Sequence, residues 1–342
     1  MHLPLTTPFH LDGRLNPRKL EENVARYSKT PAAGLVALHW TGQPSLLSDI
    51  ETREVLQAVA GASAAEKVLT AGIARDSVAG TLELLEYAAL QGYDVGLLRT
   101  PSFLREPSGR ALKELQTYFG AVADRSPLPL AIWSEGLHEA LIVELAGHPQ
   151  VLGAVECGDR TELLVRATAS IRREVTVTAV FAAVTARMTA KAEPEGSQFV
   201  AAESLAGGAG GASVISLAPT KIRLKTRTKA VGFQVLSGRT AGMLEALQAG
   251  AVGAMPAFAA SAPQACYEVL AAWKDGDPAL AAEKQERLRR LTQRVEEELG
   301  VAGIKYGSDL TGYFGGRPRL PGLSLTGAER AEVEEWMQGI RS

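Results

Sequence analysis

The stretch Val68-Leu-Thr-Ala-Gly-Ile73 is a run of small and aliphatic residues of the kind that forms a buried strand. A helical period follows over residues 78–91 and stops at Gly92, and residues 95–99 form a second short apolar run. Glycine after a last helical turn is a common stop because it adopts left-handed backbone angles without strain. Two extended segments joined by a helix predict a βαβ unit with parallel strands.

The same alternation extends along most of the chain. Extended segments are predicted at residues 3–9, 34–39, 68–73, 95–99, 128–133, 151–157, 233–236 and 252–256. Seven of the eight are followed by a helical stretch before the next one. This pattern predicts a (β/α)8 TIM barrel, with an open doubly wound sheet as the competing architecture. The count of eight favours the barrel.

Two regions break the alternation. Residues 157–231 are far more than the roughly 25 that one helix and two loops need, which predicts an insertion after strand 6 at about 174–230. Its alternating segments, at 175–180, 214–217 and 222–229, favour a solvated hairpin, and a basic docking patch is the alternative. The domain prediction is therefore a barrel over 1–262 and a C-terminal helical region over 263–342.

Composition excludes several classes of protein. The 342 residues carry 36 Lys and Arg against 38 Asp and Glu, a net charge of −2, which argues against a nucleic-acid binder. Two distant cysteines, Cys157 and Cys266, make no disulfide framework and indicate a reducing compartment. The N-terminus lacks a signal-peptide core, and no run approaches about 18 apolar residues. A cytoplasmic protein with no membrane span is expected.

Neither a metal nor a cofactor is expected from the sequence. The five histidines are scattered, and no cluster has metal-ligand spacing. The glycine-rich stretch at 207–211 lacks both the ending of a P-loop and the spacing of a dinucleotide fingerprint.

Motifs spread over nearly the whole chain resemble the dihydrodipicolinate synthase/N-acetylneuraminate lyase family of class I aldolases. The motifs that carry the resemblance include Thr6-Thr-Pro-Phe9, Trp40-Thr-Gly-Gln43, Ala71-Gly-Ile73, Gly153-Ala-Val-Glu156, Leu236-Ser-Gly238 and Arg317-Pro-Arg-Leu-Pro321. The resemblance implies a TIM barrel, a lyase that acts on 2-oxo acids, and a homo-oligomer, dimer or tetramer.

The positions that carry the family's chemistry are changed. The resemblance implies a lysine on the sixth strand that forms a Schiff base with pyruvate, and that position is Val155. The family's proton-shuttling tyrosine on the fifth strand falls on Trp133, whose indole cannot serve as an acid or base near neutral pH. The tyrosine contributed across the subunit interface falls on Ser102 or Phe103. The catalytic residues are therefore left unknown.

Other family positions are partly kept. Thr41 survives from the oxo-acid and proton-relay set, the glutamate of the same loop is Gln43, and the substrate-carboxylate arginine falls near His138. A relocated lysine is the remaining route to a Schiff base, and it requires a desolvated amine of low pKa. The candidates in the insertion are Lys191, Lys221, Lys225 and Lys229, whereas Lys305 matches a C-terminal position of the family outside its reaction centre.

Binding residues are predicted at the carboxyl ends of the strands, where TIM-barrel sites form. The predicted substrate-binding set is His39, Trp40, Thr41, Gln43, Trp133 and His138. An aromatic pocket with one titratable group suits a small carboxylate or 2-oxo acid. The alternative is that bulky side chains fill a disused cavity.

Three other polar residues follow the sixth strand. Glu156 should face away from the interior if Val155 faces inward, which predicts structural pairing. Asp159 is an acid/base candidate. Cys157 is a weak candidate nucleophile because no histidine partner is evident.

Three functions remain open from the sequence. The first is an aldolase-family lyase or hydratase that uses a small carboxylate without a Schiff base. The second is a catalytically inactive relative, either a ligand-binding protein or a partner subunit. The third is a class I aldolase with a relocated lysine.

Overall fold

Eight parallel strands form one sheet, with its strands in the order in which they occur along the chain. A computed structural model describes residues 1–104, 109–178, 183–191 and 226–340. The strands of the sheet are β1 (His2–Pro4), β2 (Gly34–Ala37), β3 (Val68–Ile73), β4 (Val95–Leu98), β5 (Leu130–Trp133), β6 (Val151–Glu156), β9 (Gln234–Ser237) and β10 (Gly253–Ala254). The sequential order confirms the predicted barrel, because a doubly wound sheet reverses its strand order. Strands β1 and β10 are shorter than the predicted 3–9 and 252–256.

Helices follow the strands as the sequence predicts. They are α1 (Pro17–Tyr27), α2 (Asp49–Ala62), α3 (Val78–Leu90), α4 (Arg110–Ala123), α5 (Glu139–Ala146), α6 (Thr161–Ala167), α7 (Ala186–Lys191), α8 (Met243–Gln248), α9 (Pro263–Lys274), α10 (Pro278–Thr292), α11 (Gly300–Leu310) and α12 (Gly327–Trp336). At the start of α2, the Ser48 hydroxyl accepts from Glu51 N–H and the Glu51 carboxylate accepts from Ser48 N–H. This capping box satisfies backbone donors that the helix itself cannot.

The apolar core has two main parts. A large cluster lies between the sheet and the helices, and it includes Leu288 of α10 and Val333 of α12. The C-terminal helices therefore share the core of the barrel. A smaller cluster fills the barrel interior and consists of Val36, Leu97, Trp133, Val155 and Met255, with Trp40, Ala131, Cys157 and Leu236 packed against it. Among the described residues, no helix combines the length and apolarity needed to cross a bilayer.

The insertion begins after α6 rather than at the end of β6. Strands β7 (Arg173–Thr178) and β8 (Thr226–Val231) form an antiparallel pair, as the hairpin prediction requires for the described parts of that segment. The predicted segment 214–217 and the glycine-rich stretch 207–211 lie outside the described residues. Arg173 donates to the carbonyls of Ala146 and His148, which precede β6, at 2.6 and 2.8 Å.

A second part of the insertion is attached to the same end of the barrel. Ala186 N–H donates to Asp94 Oδ1 at 2.7 Å, and Arg187 donates to the carbonyls of Gly92 and Lys67. These acceptors precede β3 and β4. The described insertion therefore packs against the amino-terminal face of the barrel, away from the carboxyl ends of the strands where TIM-barrel sites form.

Candidate functional site

A strained turn at the end of β2 sets the position of His39. Leu38 has φ of 57°, in the left-handed region that side chains with a Cβ rarely adopt. Its carbonyl packs against Gly72, where a Cβ would lie 2.3 Å from the Leu38 oxygen. Gly72 is thus required for a backbone approach that directs the chain into His39. Backbone strain of this kind concentrates at functional sites.

The His39 imidazole is buried and bonded on one side only. It is 2% exposed, and its Nδ1 lies 3.1 Å from Thr41 Oγ1. Thr41 Oγ1 in turn donates to the carbonyl of Leu5 at 2.9 Å. Burial and the nearby Arg99 charge hold the pKa of His39 well below its usual range, so the ring is neutral.

Two indoles flank the imidazole. The ring centroids of His39 and Trp133 are 4.9 Å apart in an edge-on arrangement, and those of His39 and Trp40 are 5.6 Å apart. The Trp133 indole Nε1–H donates to Glu135 Oε2 at 3.0 Å. The Arg99 guanidinium carbon lies 5.8 Å from the Trp133 ring centroid, and Arg99 Nη2 is 3.7 Å from the Glu135 carboxylate. The structure therefore brings three predicted binding residues together, with Arg99 beside them.

Val155 faces the barrel interior, which was the condition for predicting that Glu156 faces away from it. It is fully buried in the apolar cluster, and its register partner on β5 is Trp133. Its neighbour Glu156 faces outward and is bonded to Arg160, with Nη2 to Oε2 at 3.0 Å. The position to which the family resemblance assigns the Schiff-base lysine thus carries an aliphatic side chain that packs against an indole.

Other predicted binding residues lie apart from this cluster or are engaged elsewhere. The Gln43 side chain accepts from Arg319 N–H at 3.3 Å, so it holds the C-terminal segment. His138 is exposed and caps α5 by accepting from Ala140 N–H at 3.3 Å. Phe103 is 69% exposed beyond β4. Gln43 therefore contacts the C-terminal segment, and His138 and Phe103 lie at the surface. A binding role for Gln43 and His138 stays a prediction.

The polar residues after β6 are poorly suited to catalysis. Desolvation, followed in size by the charges of Glu135 and Glu156, raises the pKa of the Cys157 thiol to about 12. A thiol of such pKa is almost wholly protonated at neutral pH and is a weak nucleophile. The Asp159 side chain is 98% exposed and lies 3.5 Å from Arg239.

Two buried lysines hold backbone carbonyls. Lys67 donates to Thr30 O and Ala32 O, both at 2.7 Å and both at the amino-terminal face. Lys305 is fully buried and donates to Thr7 O and Arg317 O at 2.8 and 2.9 Å. Burial lowers the pKa of Lys305 to about 7. Lys305 thus has the low pKa that a relocated nucleophile requires, but its amine is enclosed by the two loops it joins.

A second cationic contact was not predicted from the sequence. Arg319 donates to the Glu51 carboxylate, with Nη1 to Oε2 at 2.7 Å, and to the carbonyls of Gly13 and Leu46. It joins the first loop, the α2 capping box and the C-terminal segment. The only signal in the sequence was the Arg317-Pro-Arg-Leu-Pro321 motif, which indicates no partner.

The site therefore offers a neutral imidazole, two indoles and an adjacent guanidinium, above an apolar interior. Such groups can orient a small polar molecule through hydrogen bonds and charge. Within the part of the chain that the structure describes, no three His, Cys, Asp or Glu side chains are grouped to hold a metal ion.

Sequence comparison links the chain to characterised lyases over its full length. It is 27% identical to a 4-hydroxy-tetrahydrodipicolinate synthase of Acidiphilium cryptum, with 98% of this chain and 96% of the relative covered. It is 24% identical to an L-threo-3-deoxy-hexylosonate aldolase of Hypocrea jecorina, with 100% and 94% covered.

Solved structures of the same fold match at lower identity. A dihydrodipicolinate synthase from Acinetobacter baumannii, complexed with pyruvate, gives a TM-score of 0.74 at 21% identity, with 99% of this chain and 98% of that chain covered. A prophage protein of the dihydrodipicolinic acid synthase family from E. coli K12, also complexed with pyruvate, gives 0.74 at 20% identity, covering 99% and 97%. The family model "Dihydrodipicolinate synthetase family" matches residues 1–196 and 216–340. The chain therefore belongs to the dihydrodipicolinate synthetase family.

Proposed function

We propose that this member of the family binds a small carboxylate at the carboxyl end of the barrel and does not form a Schiff base with it. The observation that carries the proposal is the environment of Val155. An amine nucleophile is needed to form an imine with a 2-oxo acid, and Val155 places a fully buried aliphatic side chain at that position of the sixth strand.

The settings of the described lysines argue against any of them acting as a relocated Schiff-base lysine. The amines of Lys67 and Lys305 are bonded to backbone carbonyls. Lys229 lies on β8 of the insertion, at the amino-terminal face. Lys221 and Lys225 lie outside the described residues, as does the side chain of Lys191. The described parts of the insertion attach at the face opposite the candidate site, which argues against a nucleophile supplied from those parts.

The binding part of the proposal rests on the groups that remain. Arg99 supplies a cation beside Trp133, with 21% of its side chain exposed, and it can pair with a carboxylate. His39 supplies a neutral polar group between two indoles. A reaction that needs no imine, such as hydration or dehydration of a small carboxylate, fits this set better than an aldol reaction does.

A saturation experiment tests the binding. Calorimetric titration of the full-length protein with acetate, malonate, pyruvate and lactate should give saturable binding of at least one of them. Arg99→Gln should weaken that binding, whereas Arg125→Gln, on the segment between α4 and β5, should leave it unchanged. Failure of all four ligands to bind would overturn the proposed binding function.

A second candidate function follows from the packing of the interior. Val155 is fully buried and Trp133 is 5% exposed, so the two side chains fill much of the space at the mouth. This packing favours a catalytically inactive relative that acts as a partner subunit. It predicts no binding of small carboxylates, and stable association with a catalytically active member of the family.

Self-association is part of the proposal. Phe103 is a large apolar side chain that is 69% exposed after β4, at the position where the family resemblance implies a contact across subunits. We therefore propose a homo-oligomer. Sedimentation equilibrium of the parent and of Phe103→Ser should show a dimer or tetramer that the substitution weakens, and a monomeric parent would contradict it.

A further inference from the structure

Two polar atoms at the mouth of the barrel are buried without a hydrogen-bond partner. They are Nε2 of His39 and Oγ1 of Thr6, on residues that are each 2% exposed. Native structures satisfy nearly all buried polar atoms, so an unsatisfied one requires an explanation. A bound ligand that forms hydrogen bonds to these two atoms would explain why the protein leaves them without a partner.

The bonding on the other side of the ring determines what His39 Nε2 can do. The hydroxyl of Thr41 has a single proton, and it donates that proton to the Leu5 carbonyl at 2.9 Å. Thr41 Oγ1 must then accept from His39, whose Nδ1 lies 3.1 Å away. The Thr41 N–H also points to Nδ1, but at 3.5 Å, the outer limit of a hydrogen bond.

The network therefore assigns the proton of the neutral imidazole to Nδ1. In a neutral imidazole the other nitrogen carries a lone pair. His39 Nε2 is thus a hydrogen-bond acceptor and not a donor. Any group that satisfies it must bring a proton.

A cation lies on the same indole as this acceptor. The His39 ring meets Trp133 at 4.9 Å between centroids, and the Arg99 guanidinium lies 5.8 Å from the same ring. Arg99 is also 3.7 Å from Glu135, an exposed carboxylate that a bound carboxylate can join or replace. An acceptor and a cation thus lie beside the same indole, and the Arg99 charge is near enough to act on the His39 ring.

We infer that the site prefers a 2-hydroxy acid to the corresponding 2-oxo acid, an inference that rests on the proposed binding function. A hydroxyl group donates to His39 Nε2 while the carboxylate of the same molecule pairs with Arg99. A keto oxygen only accepts, so a 2-oxo acid leaves Nε2 unsatisfied and sets two lone pairs against each other. The Thr6 hydroxyl, which can donate or accept, suits either oxygen of the ligand.

Access to the acceptor requires movement of a neighbouring side chain, because Nε2 has no contact with solvent. Trp40 is half-buried and packs against the interior cluster on one side and Ala257, Ala260 and Ile304 on the other. Its indole lies beside His39 and is more exposed than that of Trp133. Entry of the ligand is therefore expected to displace Trp40.

Matched pairs of acids test the inference. Calorimetry on the full-length protein compares both enantiomers of lactate with pyruvate, and 2-hydroxybutyrate with 2-oxobutyrate. At least one hydroxy acid should bind about tenfold or more tightly than its oxo partner, since an unpaired buried acceptor weakens the oxo complex. His39→Phe keeps the ring and removes the acceptor, so it should abolish the preference. His10→Phe, at the exposed 10–13 turn, is the matched control.

A spectroscopic readout keeps the test independent of how well the variant folds. In 15N-histidine-labelled parent protein, His39 should show the Nδ1–H tautomer, and the Nε2 resonance should shift when the hydroxy acid binds. Equal or tighter binding of the oxo acids, or an Nε2–H tautomer, would overturn the inference while leaving the proposed function intact. Binding of neither class would overturn both, and the preference surviving in His39→Phe would remove His39 from the account.

Discussion

Trp133 and Val155 are register partners on β5 and β6, and their side chains enter the same apolar cluster inside the barrel. The pair occupies the two positions at which the family resemblance implies a tyrosine and a lysine. Its members are an indole, bonded at Nε1 to Glu135, and an aliphatic side chain with no polar atom. The proposed loss of an imine-forming group and the filling of the interior therefore concern the same pair of side chains.

Restoring an amine at this position should restore imine formation. In Val155→Lys the new amine is enclosed by Trp133, Leu97 and Met255, and burial of this kind lowers the pKa of an amine and keeps it nucleophilic. Borohydride reduction in the presence of pyruvate should label the introduced lysine, as peptide mapping can show. Val155→Met adds similar bulk and should give no adduct. A folded Val155→Lys protein that fails to react would show that pyruvate does not reach the interior.

Cys157 should react slowly with alkylating agents. Its pKa of about 12 is roughly three units above that of an ordinary thiol, so its thiolate fraction at neutral pH is lower by about a thousandfold. Iodoacetamide labelling of the native protein near pH 7.5 should therefore leave Cys157 unmodified over times that fully label an exposed thiol peptide. Cys266 is fully buried and serves as an internal comparison. Rapid, selective labelling of Cys157 would indicate a nucleophilic thiol and reopen a catalytic role.

Lys305 should make the stability of the protein rise with pH above neutrality. Its folded-state pKa is about 7, because burial lowers it from the ordinary lysine value of 10.5. Between these values the unfolded chain binds a proton that the native protein does not, so the free energy of unfolding increases with pH across this window. The gain is lost progressively as pH falls from about 10.5 to about 7, and Lys305 contributes no further pH dependence below that. Urea denaturation at pH 7, 8, 9 and 10 measures the slope.

Two substitutions separate the titration of Lys305 from its bonding role. Lys305→Met removes the titration and leaves Thr7 O and Arg317 O without their donor, so it should reduce the slope and cost about 1–3 kcal/mol at pH 9. Lys284→Met, on α10, is the matched control and should preserve the slope. An unchanged slope in Lys305→Met would show that another group causes it.

Arg319 should not be replaceable by lysine. Its guanidinium contacts the Glu51 carboxylate and the carbonyls of Gly13 and Leu46 together, with only 17% of its side chain exposed. A lysine cannot present donors in this fork, so Arg319→Lys should lower the free energy of unfolding by about 1–3 kcal/mol. Arg18→Lys, on the exposed face of α1, should change it by less than about 0.5 kcal/mol. Chemical denaturation of the two variants makes the comparison.

The same contact predicts a loss of stability in acid. The Arg319 hydrogen bonds lower the pKa of Glu51 to about 2 from the ordinary glutamate value of 4.5. Because the folded-state pKa is lowered, the stabilisation is present above about pH 4.5 and is lost as pH falls towards 2. Arg319→Met should remove this part of the acid dependence. Parallel acid-unfolding curves for parent and variant would contradict the assignment.

Local patterns in the sequence predicted most of the fold. Capping boxes begin α2 and α12, and they join Ser48 with Glu51 and Thr326 with Glu329. Each depends on residues three apart, which a sequence presents directly. The direction of Glu156, away from the interior and paired with Arg160, was predicted from strand alternation on the condition that Val155 faces inward.

The contacts of the site depend on distant parts of the chain and were only partly predictable. His39 and Trp133 meet across the barrel, and their edge-on geometry follows from the left-handed turn at Leu38, which no local pattern indicates. The Lys305 amine meets Thr7 over 298 positions of sequence. Gln43 was predicted as a ligand-binding residue from its loop, and its partner proved to be the backbone of Arg319.

The sequence also did not indicate which face of the barrel the described parts of the insertion contact. The excess of residues between β6 and β9 was evident from the sequence. From that excess alone, a lysine of the insertion could have folded over the mouth of the barrel. The short helix α6 carries the chain back to the amino-terminal face before the insertion begins, where Arg173 and Arg187 attach it to the barrel. These contacts join residues far apart in sequence, so no local pattern indicates which face the described parts of the insertion contact.

Reductive trapping tests the central claim most directly. The parent protein is incubated with pyruvate and a panel of other 2-oxo acids in the presence of borohydride, beside a catalytically active member of the family, and is then analysed by intact mass and peptide mapping. The account predicts that the active relative acquires one covalent adduct and that this protein acquires none. A reduced adduct on a single lysine of the parent protein, at Lys305 or within the insertion, would contradict the account and identify the relocated nucleophile.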